Sequence, residues 1–137
     1  MYAKHDLKMT RFENDHASPS IMIIERNREL RSDLADILEL EGYAVAGVDR
    51  ADEGLLLLKS FKVAPRLVIY AVDRNDISAS QFIGAARDTA TRVTSFLLMT
   101  DHTGNILPSD GHQSVFFIQK PFSVPGLLEI IQRALDQ

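Results

Sequence analysis

The strongest constraint on the fold is a repeated change of period along the chain. Short, unbroken apolar runs take turns with longer stretches whose apolar residues recur every three or four positions. Ile21-Met22-Ile23-Ile24 is the first such run, and a run apolar at every position suits a strand covered on both faces. Leu30, Leu34, Ile37 and Leu38 follow at helical spacing, and Gly42 suits the residue just past that helix. Tyr43 to Val48 reads as a second strand, and Asp49 is placed to cap a helix running to about Phe61 with Leu55 and Leu58 inward. After Pro65, Leu67 to Val72 forms a third strand, and Ser78 to Arg87 a third helix in which Gly84 is a weak point. Ser95 to Met99 and Val115 to Ile118 complete the strands, and Ser123 caps a final helix carrying Leu127, Leu128, Ile131 and Leu135. Between the last two strands Gly104, Pro108 and Gly111 interrupt the chain, so the fourth helix is predicted to be short, distorted or missing. Five buried strands separated by helices imply an α/β fold with a doubly wound parallel sheet.

With 137 residues and 45% apolar composition, the chain suffices for one domain with one core. Residues 1–19 mix charge and Pro19 without periodicity and read as a flexible leader to a folded domain at 20–137; His5 and His16 within it match no metal-ligand spacing. Nineteen acids against fifteen bases give a net charge of −4, and no basic stripe offers a nucleic-acid footprint. Cysteine is absent, which excludes disulfides and thiolate chemistry and fits a reducing, cytoplasmic setting. Apolar runs such as Leu55 to Leu58 are too short to span a membrane, and the N-terminus lacks a signal peptide's apolar segment. No output module is expected after the final helix.

In open parallel sheets, function gathers at the carboxyl ends of the strands. Here those ends carry Glu25-Arg26, Ala71 to Asp73, Thr100 and Lys120-Pro121. The series Ile23-Ile24-Glu25-Arg26-Asn27, Glu41-Gly42-Tyr43, Pro65-Arg66-Leu67-Val68-Ile69-Tyr70-Ala71, Leu98-Met99-Thr100 and Lys120-Pro121-Phe122 resembles the receiver domain of two-component signalling over roughly residues 20–136. The resemblance implies a flavodoxin-like sheet of order 2-1-3-4-5. It also implies a switch in which two acidic residues after the first strand hold magnesium and an aspartate ending the third strand takes a phosphoryl group from a histidine kinase. A Thr or Ser and a Lys at the ends of the fourth and fifth strands would contact that phosphate, and the Lys-Pro bond would be cis. Such transfer needs a carboxylate nucleophile and cations to neutralise the phosphoryl oxygens.

Matched residue by residue, the acidic pair is Glu25 and Arg26, the acceptor position is Ala71, Thr100 and Lys120 are kept, and Phe117 takes the aromatic position on the fifth strand. A methyl group has no lone pair to attack phosphorus, so the resemblance implies a pseudo-receiver with a degenerate phosphorylation pocket. Asp73, two residues on, is the alternative acceptor. Loss of an acid and gain of a base suggest that Arg26 pairs with Asp73 and Lys120 with Glu25, side chains standing in for the metal. No cofactor is then expected, and magnesium binding should be lost or weak. The expected role is a non-enzymatic interaction module that docks to a histidine kinase, phosphotransfer protein or regulator, with room for a homodimer. Phe117 and Pro121 are candidate switch or interface positions, and Val115 and Phe116 could add to that surface. A small-ligand-binding flavodoxin-like module is the alternative, although no Gly-rich turn follows the first strand. A hydrolytic role for His102 and His112 with Asp101 and Asp110 lacks a positioned nucleophile.

Overall fold

The computed structural model describes residues 19–89, 95–101 and 114–136. Strands β1 (Ile21–Ile24), β2 (Val45–Val48), β3 (Leu67–Ala71), β4 (Ser95–Thr100) and β5 (Val115–Gln119) form one sheet. Helices α1 (Arg28–Leu40), α2 (Ala51–Ser60), α3 (Ala79–Thr89) and α4 (Val124–Leu135) are the helices among the described residues. Residues 1–18 of the expected leader and the segment expected to hold a distorted helix between β4 and β5, with His102, Asp110 and His112, lie outside them.

All strands pair in parallel in the order β2-β1-β3-β4-β5, a flavodoxin-like topology. Strand alternation sorts the side chains into two core layers. Ile21, Ile23, Leu67, Ile69, Leu97 and Met99 pack with α1 and α4 on one face. Met22, Ile24, Val68, Tyr70, Phe96 and Leu98 pack with α2 and α3 on the other. With both faces covered, every residue of β1, β3 and β4 is buried, which explains why those strands read as continuous apolar runs.

Helix ends follow local chemistry. Asn27 caps α1, its side chain accepting from the Leu30 N–H at 3.0 Å. That helix closes at Gly42, whose φ of +97° lies in the left-handed region open to glycine. The Tyr43 N–H turns back to the Leu38 carbonyl, so Tyr43 serves the helix exit and β2 begins at Val45, two residues later than the sequence predicts. Ser123 caps α4 by accepting from the Gly126 N–H at 3.1 Å. The end of α4 is tied to the sheet by Ser95, whose hydroxyl donates to the Ala134 carbonyl at 3.0 Å, and by Arg66, which donates to the Leu135 carbonyl.

The sequence expectations for α1 and α2 need amending. The inward stripe of α1 is Arg31, Leu34, Ala35 and Leu38, so Leu30 and Ile37 are only half-buried and an arginine holds a core-facing position. On α2 Leu55 and Leu58 do face the core, Leu58 buried and Leu55 half-buried, but the stripe also takes in Ala51 and Gly54, because Gly54 lies directly against Ile24 of β1. Asp49 does not cap α2. The N-cap position is Arg50, whose side chain makes no capping bond, and the Ala51 N–H is instead taken at 2.8 Å by Asp76 of the β3–α3 loop. Because both oxygens of Asp76 accept backbone N–H groups, the second from Ile77 at 2.8 Å, Asp76→Ala is expected to lower stability by about 1 kcal/mol. Urea unfolding checks this.

Candidate functional site

The carboxyl ends of β1, β3, β4 and β5 open into a cleft of about 840 Å³ whose walls include Glu25, Ala71, Asp73, Thr100 and Lys120. Ala71 is the last residue of the central strand β3 and lies beside Met99 of β4. The residue is 7% exposed. The next carboxylate along the chain, Asp73, lines the same cleft.

Glu25 follows β1, and its N–H extends the ladder to the Val48 carbonyl at 3.1 Å. Its carboxylate is buried and both oxygens are engaged. Oε2 accepts from the Asn27 N–H at 2.9 Å, and Oε1 accepts from the Lys120 ammonium at 2.7 Å. The Lys120 backbone is fixed in turn by its N–H donating to the Thr100 carbonyl at 2.7 Å, and the Lys120-Pro121 bond is cis. A charge this far from water needs such partners. Thr100 is 3% exposed on the cleft wall.

Arg26 points to Asp73, Nη1 to Oδ1 at 3.7 Å, with the side chains 39% and 33% exposed. An exposed pair of this length contributes roughly 0–1 kcal/mol. The structure therefore brings together Glu25 with Lys120 and Arg26 with Asp73, the first tight and part-buried, the second loose. Asp73 also accepts from the Asn75 N–H at 2.7 Å, so it belongs to the loop after β3 rather than to the strand.

A divalent ion of magnesium type is bound through one or two carboxylates. In this cleft the buried carboxylate is already held by an ammonium and an amide, and the neighbouring position is a guanidinium. Among the described residues no group of three His, Asp or Glu side chains could hold a metal ion.

Phe117 is half-buried on β5 and packs with Val115 on the core layer of Tyr70, Phe82 and Phe96, while Phe116 turns to the opposite layer. Pro121 is exposed and, with Leu30, Asp101, Lys120 and Phe122, lines a second hollow of about 370 Å³ beside the cleft. Sequence reasoning missed Tyr70, whose hydroxyl donates to the Ile77 carbonyl at 2.7 Å and fastens the cleft-lining loop to β3. Burial, with Asp76 and Asp73 nearby, pushes the phenol well above its ordinary range, so it stays a donor.

Neither a family model nor a curated protein sequence matches the chain. Solved structures do. The receiver domain of the hybrid histidine kinase CckA superposes with a TM-score of 0.71 at 21% identity, covering 84% of this chain and 97% of that one. A chemotaxis protein of Vibrio cholerae gives 0.71 at 19%, covering 87% and 100%. The receiver domain of NtrX from Brucella abortus gives 0.68 at 22%, covering 85% and 98%. The fold is a receiver fold.

Within the receiver fold, the cleft lies where such α/β sheets place their ligands, at the strand carboxyl ends beside the reversal of strand order. No helix among the described residues is long and apolar enough to cross a membrane.

Proposed function

We propose that the chain is a pseudo-receiver of two-component signalling: an interaction module that is not phosphorylated at position 71 and whose cleft is held by side-chain ion pairs instead of a divalent ion. The observation that carries this reading is the methyl of Ala71 at the end of β3, in the same cleft as a Lys120 ammonium already committed to Glu25 at 2.7 Å. Ordinary receivers shift a docking surface when phosphorylation adds about −1.5 to −2 units of charge. Here that charge has no acceptor at Ala71, and the lysine that would meet it is occupied. The chain then acts without catalysis, by docking in one standing conformation to a histidine kinase, a phosphotransfer protein or a regulator. The chain shares its fold with the receiver domains of a hybrid histidine kinase and of NtrX, and this likeness supports a place in such signalling.

Incubation with acetyl phosphate and magnesium, followed by intact mass, tests the reading. The expected mass is unchanged. A phosphate adduct, at Asp73 or elsewhere in the cleft, overturns it. Calorimetric titration with magnesium should give no heat of binding, and saturation at ordinary receiver affinity would remove the ion-pair account.

A further inference from the structure

Arg31 sits on the core-facing stripe of α1, one turn before Leu34 and Ala35, at a position where an apolar residue is the usual occupant. It is 8% exposed. Its stem crosses β2 at Gly47, where a Cβ would lie 3.2 Å from its Cγ and 3.3 Å from its Cδ. Any larger residue there would press the stem aside by a few tenths of an ångström. Its guanidinium Nη1 donates to the Glu25 carbonyl at 2.6 Å and lies 3.7 Å from a carboxylate oxygen of Asp49 after β2. The recipient carbonyl belongs to the residue whose side chain holds Lys120.

We propose that Arg31 is a positioning residue for the cleft: by holding the Glu25 main chain it sets the direction in which the Glu25 carboxylate meets Lys120 and the Asn27 amide. The inference deepens the reading given above and rests on it for the role of the Glu25–Lys120 pair. A carboxylate that accepts two donors, at 2.7 Å and 2.9 Å, needs its own backbone fixed on the same scale. Glu25 stands just past the end of β1, where the ladder secures its N–H but the turn into α1 has begun. A charged donor bonding that carbonyl supplies a second anchor, and bonds to charged groups are the stronger ones. Asp49 neutralises part of the arginine's charge from 3.7 Å, a separation too long for a hydrogen bond to the same nitrogen.

NMR of the isotopically labelled full chain tests the proposal, following hydrogen exchange at the Asn27 amide and the Lys120 ammonium resonance at low temperature. In Arg31→Met, which keeps stem length and removes the donor, Asn27 exchange is expected to rise roughly tenfold, the scale of one lost charge-assisted hydrogen bond, with the ammonium resonance broadened or lost. Arg31→Lys, with its shorter reach, should restore both in part. Unmoved Asn27 and Lys120 signals in a folded Arg31→Met protein, even with a lower melting temperature, reduce Arg31 to a packing role and overturn the proposal. Should Arg31→Met fail to fold, Gly47→Ala keeps the guanidinium but displaces its stem; the same spectral changes support the proposal and unchanged spectra overturn it. Absence of a protected Lys120 ammonium in the unsubstituted protein would count against the ion-pair reading, while the Asn27 exchange rates would still judge Arg31.

Discussion

A Lys120→Met variant is expected to melt roughly 10 °C lower than the unsubstituted protein. The reasoning begins with Glu25, whose side chain is 6% exposed and accepts from the Lys120 ammonium at 2.7 Å. Removing one partner of a fully buried pair costs about 3–5 kcal/mol, because the other charge is stranded. Two features reduce that figure here. The lysine is 26% exposed, so water already screens part of the attraction, and the Asn27 amide still serves the second carboxylate oxygen. About 2–3 kcal/mol remains, and a domain of this size shifts by roughly 4 °C per kcal/mol. Adding Glu25→Gln removes the stranded charge, so the double variant should regain most of the loss. Differential scanning calorimetry on the four proteins of the cycle reads both numbers. A shift below about 2 °C for Lys120→Met would mean that the pair is effectively solvated, and the account of the cleft would fall.

Phe82→Ala should produce a larger loss, about 3–5 kcal/mol in urea unfolding. Phe82 comes from α3 and is fully buried. Its ring stacks on Tyr70 at 4.4 Å between centroids and meets Phe96 edge-on at 6.2 Å. The three rings join α3 to β3 and β4, so truncation removes both the transfer term and the aromatic contacts. Both flanking rings sit on sheet strands and cannot slide into the space, which puts the expected cost high in the range for such cavities. Because Tyr70 also fastens the loop lining the cleft, the variant tests whether core and cleft are coupled. Weaker protection of the Ile77 and Asp76 amides would accompany the lost stability. A loss under about 1 kcal/mol would show that this layer repacks freely.

Much of the architecture could be read from periodicity, because strands covered on both faces leave unbroken apolar runs such as Leu67 to Ala71. Strand order was not in the periodicity; it came with the resemblance, whose Glu25, Ala71, Thr100 and Lys120 do meet around one cleft. What escaped the sequence were contacts made at a distance. Asp49 looked like the cap of α2 because caps are sought next door, yet the helix takes Asp76 from a loop 25 residues further on. Arg31 drew no reading from the sequence, because arginine is rarely buried and nothing local announces that Gly47, on another strand, leaves room for its stem. Tyr70 read as one more apolar residue of β3, its hydroxyl partner lying beyond the strand.

The bond from Asp76 to Ala51 has a consequence for how the molecule opens. Helix starts usually fray on their own, since their first amides answer only to neighbouring residues or water. In this protein the first amide of α2 answers to the rim of the cleft, and the same carboxylate also steadies Ile77. Breathing at the helix start and loosening of the rim should therefore be one event with one free energy.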